Sequence, residues 1–314
     1  MNTVVSRTLE PGHPEWPGAL DEIAGAPKRL FAVGRPLDTS RPMIAIVGTR
    51  RPTIAGVEIA QSLARGLAQG GFTIVSGLAV GIDAVAHQAA LDAGGATVAV
   101  LGCGLDVLYP RPNLKLRDRI VEGGCLLTEY EEGVQPTKFT FPQRNRIVAG
   151  LAVGVIVVEG SYRSGALITA RRALENNRNI YAVPGSLRNP MSQGPNMLIA
   201  RGEAQLVTSF KDICDDLAPS MVWSRSDEAP QVEQDELAVL DLLDDSPSTS
   251  DALLRAGTME AGQLALTLAR LEVRGWAVRT AAGYALSTSG ARIRAAISRQ
   301  PSVAPHRNKI DPLP

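Results

Sequence analysis

The sequence predicts a doubly wound α/β fold with a mostly parallel sheet, followed by a small C-terminal winged-helix domain. Three observations carry this expectation. Short runs rich in Val and Ile recur from Met43 onward, each ending in glycine or a small polar residue and each followed by a helical stretch. These runs do not alternate apolar with polar residues, which is the pattern of strands buried on both faces of a parallel sheet. Beyond Pro219 the composition turns polar, and then three amphipathic helical stretches lead into two short β runs.

Taken in order, residues 1–42 are rich in Pro and Gly and contain His13-Pro14-Glu15-Trp16-Pro17. They read as a lead-in that packs on the main domain. In the main domain, residues 43–218, strands are expected at 43–47, 72–75, 97–101, 125–128, 154–158, 179–183 and 205–207. Helices are expected at 54–69, 82–93, 114–122, 144–149, 166–176 and 196–201. Right-handed crossovers place the strand-to-helix turns along one sheet edge, where α/β sheets bind ligands. Residues 219–235 read as a linker. In the winged-helix domain, residues 236–298, Leu237, Leu240 and Leu243 mark a first helix. Ser248-Thr249-Ser250 offer caps for a second that Gly257 closes, and Leu264, Leu268 and Leu271 mark a third. The runs 276–279 and 284–287 form the wing. The tail 299–314 carries four prolines and reads as disordered.

The chain has 314 residues, 45% of them hydrophobic, and a formal net charge of zero. A bulk polycation is excluded, so any polyanion surface is a local patch. Residues 1–221 hold 22 basic and 20 acidic groups, whereas residues 235–290 hold four arginines against eight acids, a net of −4. Cys103, Cys125 and Cys214 lie far apart, without a CxxC or Cys/His cluster, so the sequence implies no metal and no disulfide framework. No signal peptide and no run of the ~18 apolar residues a membrane span needs is present. A cytoplasmic protein without a membrane partner is expected.

The most informative stretch runs from Lys138 to Gly150. It puts three cations and two phenylalanines within nine residues of a chain that is only 4% aromatic. Cations beside flat rings suit single-stranded nucleic acid, since charges follow phosphates and rings stack on splayed bases. Pro142 is expected to open a helix, which puts Arg144, Asn145 and Arg146 in its first turn. Arg144 is expected to hold a phosphate. Phe141 is expected to stack on a base, the alternative being a core phenylalanine. More cations fall at the other turns: Arg50 and Arg51, Arg111 after Tyr109-Pro110, and Arg163 before Ser164. Gly48, Gly77, Gly81, Gly102, Gly104 and Gly165 lie at the same turns and are expected to bring backbone N–H groups close to phosphate. Neither a GxxxxGK[ST] P-loop nor a GxGxxG fingerprint is present, and no cofactor is expected.

Catalytic candidates are sparse. His13, His87 and His306 are isolated, and Asp83 suits a helix cap. Glu129 and Glu159 follow strands on the ligand edge. They could serve a hydrolase or hold arginines in place.

Together these pieces closely resemble the bacterial DNA-processing protein A family (DprA, also called Smf). In chain order the matching motifs are Val47-Gly48-Thr49-Arg50, Ser76 to Asp83, Leu101 to Asp106 with Tyr109-Pro110, Glu129-Tyr130, Phe141 to Ile147, Ser164 to Ala170, Ala182 to Gly185, and Gly194-Pro195-Asn196 with Leu198-Ile199. The resemblance implies an extended Rossmann-like domain that binds single-stranded DNA in a basic pocket, forms a homodimer, and helps load the RecA recombinase during natural transformation, without enzymatic activity. It implies a pocket built from Arg50, Arg111, Lys138 and Phe141, with Arg144, Asn145, Arg146, Arg163 and Ser164 matching by motif. Three departures stand out. About 42 residues precede the first expected strand, so the helical SAM-like domain of many members is not expected. Thr128 and Ala166 stand where serine is frequent. The winged helix is acidic, which weakens DNA binding as its role and favours partner contact or self-association. Two other readings remain. One is a nucleotide hydrolase resembling phosphoribohydrolases, against which Pro184-Gly185-Ser186 departs from a Pro-Gly-Gly-x-Gly-Thr motif. The other is a winged-helix regulator with a ligand-sensing domain.

Overall fold

The computed structural model describes residues 6–217, 232–244, 246–280, 282–287, 290–291 and 293–294. The chain divides into two compact units, Met1–Trp223 and Ser224–Pro314.

The first unit is built on β1 (Arg7–Leu9), β2 (Leu30–Gly34), β3 (Met43–Val47), α1 (Ile54–Gln69), β4 (Thr73–Ser76), α2 (Ile82–Asp92), β5 (Thr97–Val100), α3 (Leu114–Gly123), β6 (Cys125–Thr128), α4 (Thr140–Leu151), β7 (Gly154–Val157), α5 (Gly165–Glu175), β8 (Asn179–Ala182), α6 (Gln193–Ala200), β9 (Gln205–Leu206) and α7 (Phe210–Leu217). The nine strands form one sheet in the order β1-β2-β6-β5-β4-β3-β7-β8-β9. Seven of them, β3 to β9, run parallel, while β1 and β2 join antiparallel at the β6 edge. The architecture is extended Rossmann-like, as the apolar runs imply. Strands β3 to β7 are buried along their whole length, because helices cover both faces of the sheet. The winding reverses between β3 and β7, which are paired neighbours. That reversal opens a crevice beyond their carboxyl ends.

The lead-in does more than pack on the domain. It supplies two strands, and Leu9, Trp16, Leu20, Ile23 and Leu30 enter the core. Ile23 and Leu20 lie so close to Gly150 at the end of α4 that a Cβ there would collide with them. The lead-in therefore backs the helix that carries the basic stretch.

The second unit holds α8 (Gln234–Leu242), α9 (Ser250–Ala256), α10 (Ala261–Val273), β10 (Ala277–Thr280) and β11 (Gly283–Leu286). The two strands pair antiparallel, and Ser248 bridges to Tyr284. Thr249 caps α9 by accepting from the Ala252 N–H. Leu240, Leu243, Leu253, Leu264, Leu268, Leu271 and Trp276 form its own core. Three helices and a β-hairpin make a winged helix. Most of the expected linker and all of the expected tail lie outside the described residues.

Candidate nucleic-acid interface

A crevice of about 300 Å³ opens at the β3/β7 switch point. Its lining includes Gly48, Thr49 and Arg50 after β3, Gly77 after β4, Phe141, Arg144 and Asn145 of α4, and Ser164 and Gly165 at the start of α5. A recess of about 50 Å³ adjoins it, sharing Arg50, Gly77, Phe141 and Arg144 and adding Gly102 and Tyr109. Four separate turns thus converge on one place, as the doubly wound order requires.

Phe141 is half-buried and stands in the lining, so it is not a core residue. Its ring centroid lies 5.7 Å from that of Tyr109, and the Arg50 guanidinium carbon lies 5.5 Å from its centroid. Gly102 leaves room for the ring, since a Cβ there would stand 3.1 Å from Phe141 Cδ1. Tyr109 is a site residue beyond those expected, and its place just before Pro110-Arg111 is the signal that marks it. Phe139 is 69% exposed with the Lys138 ammonium 5.2 Å from its centroid, so it too stands outside the core.

Arg144 differs from expectation. Helix α4 begins at Thr140 rather than Pro142, which moves Arg144, Asn145 and Arg146 into the second turn. Pro142 is tolerated because N–H groups of a first turn have no intrahelical partner. Arg144 is only 5% exposed, and its Nη1 donates to the carbonyls of Gly77 (2.6 Å) and Val100. A side chain on Gly77 would collide with this guanidinium. Beside it, Asp83 accepts from the N–H groups of Gly77 (3.1 Å) and Ala79 (3.4 Å). Burial pushes the Asp83 carboxyl up, against the pull of Arg144. Arg144 and Asp83 thus hold the turn after β4, and Asp83 acts from inside α2 rather than as its cap. Gly81 takes that cap position with φ +95°, pressed against the backbone of Thr49 and Arg50, where no side chain fits.

Arg146 is turned to Glu129, with which it forms a mostly buried ion pair. Burial pushes the Glu129 carboxyl up, opposed by Arg146. Glu159 is buried and accepts from Thr53 N–H (2.9 Å), Thr53 Oγ1 (2.6 Å) and Asn189 Nδ2 (3.4 Å). Glu129 thus holds an arginine, whereas Glu159, contrary to expectation, ties Thr53 to Asn189 and is in no ion pair among the described residues.

The other expected residues fall as follows. Asn145 donates weakly to Gly165 O at 3.4 Å, and Ser164 caps α5 by accepting from Ala166 N–H. Gly165 opens α5 with nothing within 4 Å of where a Cβ would sit. Arg51, Arg111, Lys138 and Arg163 are exposed around the crevice rather than in its lining. Two glycines depart from phosphate cradling. The Gly77 N–H is spent on Asp83, and the Gly104 N–H donates to Val134 O (2.9 Å), away from the crevice. A larger groove of about 900 Å³ lies at the antiparallel edge, but Asp106, Asp118, Glu122 and Glu132 there outnumber Arg35 and Arg117, which suits a polyanion poorly. Among the described residues no group of acids, histidines and cysteines is arranged to hold a metal ion, and no helix is long and apolar enough to cross a membrane.

Comparison with known proteins bears on this geometry. The profile of the DNA recombination-mediator protein A family matches residues 7–218, and that of the DprA winged helix domain matches residues 224–283. The chain is 48% identical over 199 residues to DNA processing protein DprA of Streptococcus pneumoniae, covering 63% of this chain and 70% of that one. It is 37% identical over 278 residues to protein Smf of Escherichia coli, covering 86% and 74%. The solved structure of DNA processing protein A from Helicobacter pylori, described for its single-stranded DNA binding mode, superposes with a TM-score of 0.61 at 35% identity, covering 68% of this chain and 96% of that one. With two family profiles in sequence and relatives aligned over most of their own length, this chain belongs to the DNA recombination-mediator protein A family.

Proposed function

We propose that this chain binds single-stranded DNA at the switch-point crevice, protects incoming strands, and helps load the RecA recombinase onto them in natural transformation and recombination. It does so as a cytoplasmic homodimer and without catalytic turnover. The observation that carries the reading is the Phe141 ring in the lining of the crevice, with Tyr109 and Arg50 beside it. A base can stack on such a ring only if it has left its duplex, and a crevice of about 300 Å³ admits splayed nucleotides but not a double helix. Arg50, Arg51, Arg111, Lys138 and Arg163 around the opening supply phosphate contacts. The family relationship and the single-stranded DNA binding described for the Helicobacter pylori relative support the same reading.

Fluorescence anisotropy with matched single- and double-stranded oligonucleotides tests the site. Single strands should bind at least about tenfold more tightly, because only they can stack on the ring. Equal affinity for both would reject the stacking crevice. RecA filament growth on single strands, with and without this chain, tests the loading step.

A further inference from the structure

One rim of the crevice, which holds Arg51 and Arg163, also carries exposed apolar groups and a further arginine, Arg188, that the crevice reading does not use. Three turns meet there: 48–53 after β3, 159–164 after β7 and 184–189 after β8. Buried Glu159 ties them together through Thr53 on one side and Asn189 on the other. Gly56 leaves space for that carboxylate, since a Cβ there would collide with it. Fastened this way, the turns and the first residue of α1 present bulky apolar groups to solvent: Ile54 is 82% exposed, Leu187 89% and Tyr162 59%. Among them stand Arg51, Arg163 and Arg188, all exposed and none in an ion pair among the described residues. Glu159 is the one acid in these three turns, and it is buried. Solvent-exposed aliphatic and aromatic side chains interleaved with unpaired arginines cost solubility unless something covers them.

We propose that this rim, with Leu187 and Arg188 at its centre, is an extension of the binding path that takes the next nucleotides of a single strand leaving the crevice. The inference rests on the reading of the crevice as a single-stranded DNA site. Two observations favour nucleic acid as the occupant. The exposed charged side chains of the three turns are all basic, which suits a phosphate backbone. It is also continuous with the crevice, whose lining includes Thr49, Arg50, Ser161, Ser164 and Met191 from the same turns or beside them. Bases rest on Ile54, Leu187 and Tyr162, while Arg51, Arg163 and Arg188 follow the phosphates. The contact is indifferent to sequence, because it offers apolar faces and charge but no fixed set of base-edge donors.

The test compares oligothymidylates of about 6 and about 20 nucleotides, lengths that bracket the reach of one binding module. The variants are Leu187→Ser and Arg188→Ala together on the rim, with Phe141→Ala in the crevice as reference. Both rim side chains are exposed, and melting temperatures confirm that the fold is kept. The double rim variant should bind the long strand about tenfold more weakly, with a shallower salt dependence, and bind the short strand within about twofold of the parent. Unchanged binding of the long strand would overturn the proposal and leave the rim as a surface for another partner. Equal weakening for both lengths would also overturn it, by placing Leu187 and Arg188 in the primary site. In either case a loss of short-strand binding in Phe141→Ala shows that the crevice reading stands. No loss there would overturn both.

Discussion

Phe141 and Arg144 lie three positions apart on α4, and their surroundings assign them opposite work. Phe141 lines the crevice beside Tyr109 and Arg50, whereas Arg144 is buried against two carbonyls and Asp83. Phe141→Ala should lower single-strand affinity by about 1–3 kcal/mol and barely move the melting temperature. Arg144→Ala should destabilise the fold by about 1–3 kcal/mol, because it leaves the carbonyls of Gly77 and Val100 without this donor. Melting curves and binding isotherms on both variants check this, and a reversed pattern would exchange their roles. His87 offers a third residue-scale test. It is fully buried, with Nδ1 2.7 Å from Thr97 Oγ1. The Thr97 hydroxyl donates its one hydrogen to Ile74 O, so Nδ1 must be the donor to Thr97, and Nε2 is left without a partner. Burial, helped by Arg144, pushes the His87 pKa down to about 3. Below an ordinary value near 6.5 the unfolded chain takes up a proton that the folded chain refuses until about pH 3. Stability from this residue is therefore complete above about pH 6.5 and declines as pH falls through that window, by up to ~1.4 kcal/mol per pH unit. His87→Leu should flatten that part of the curve of melting temperature against pH. An unchanged slope would mean that His87 is protonated in the folded state.

Among the elements, the parallel strands were legible because burial on both faces leaves unbroken apolar runs, so Met43–Val47 and Cys125–Thr128 stand at the bounds the sequence implies. The antiparallel strands were not. Arg7–Leu9 has three residues, and Leu30–Gly34 acquires its strand character by pairing with β6, nearly a hundred residues along the chain. Helix α7 does show a buried face in Phe210, Ile213, Cys214 and Leu217, but eight residues give only about two turns, short for a helix read from periodicity alone. The site was legible at the level of turns, since cations and glycines clustered where strands end. The fate of each cation was not. Arg50 meets solvent, Arg146 meets Glu129 and Arg144 meets carbonyls of β5 and of the turn after β4, and only the assembled sheet decides among these. The two added strands also have a job. Deleting residues 1–42 would uncover the β6 edge and the back of α4 where Leu20 and Ile23 dock. The truncated protein should melt well below the parent and aggregate through the bared edge, as light scattering during a thermal ramp would show. A truncated chain that melts normally would reduce the lead-in to an appendage.

At the scale of the whole molecule, a chain of zero net charge holds its acidic excess in the winged helix and its cations at the turns of the larger unit. Removing residues 224–314 should therefore leave single-strand affinity within a few-fold of the parent, while loss of nearly all binding in a folded 1–223 fragment would move the site to the other unit. The most direct measurement of the central claim is the salt dependence of single-strand affinity. A local basic crevice displaces only a few counterions, so log affinity should fall linearly with log salt with a slope of about −0.7 for each phosphate contacted, for only a few phosphates in total. Arg50→Ala should remove about one contact from that slope, whereas Phe141→Ala should lower affinity at every salt concentration and leave the slope unchanged. Affinity that stays flat from low to physiological salt, or a slope untouched by Arg50→Ala, would contradict the account.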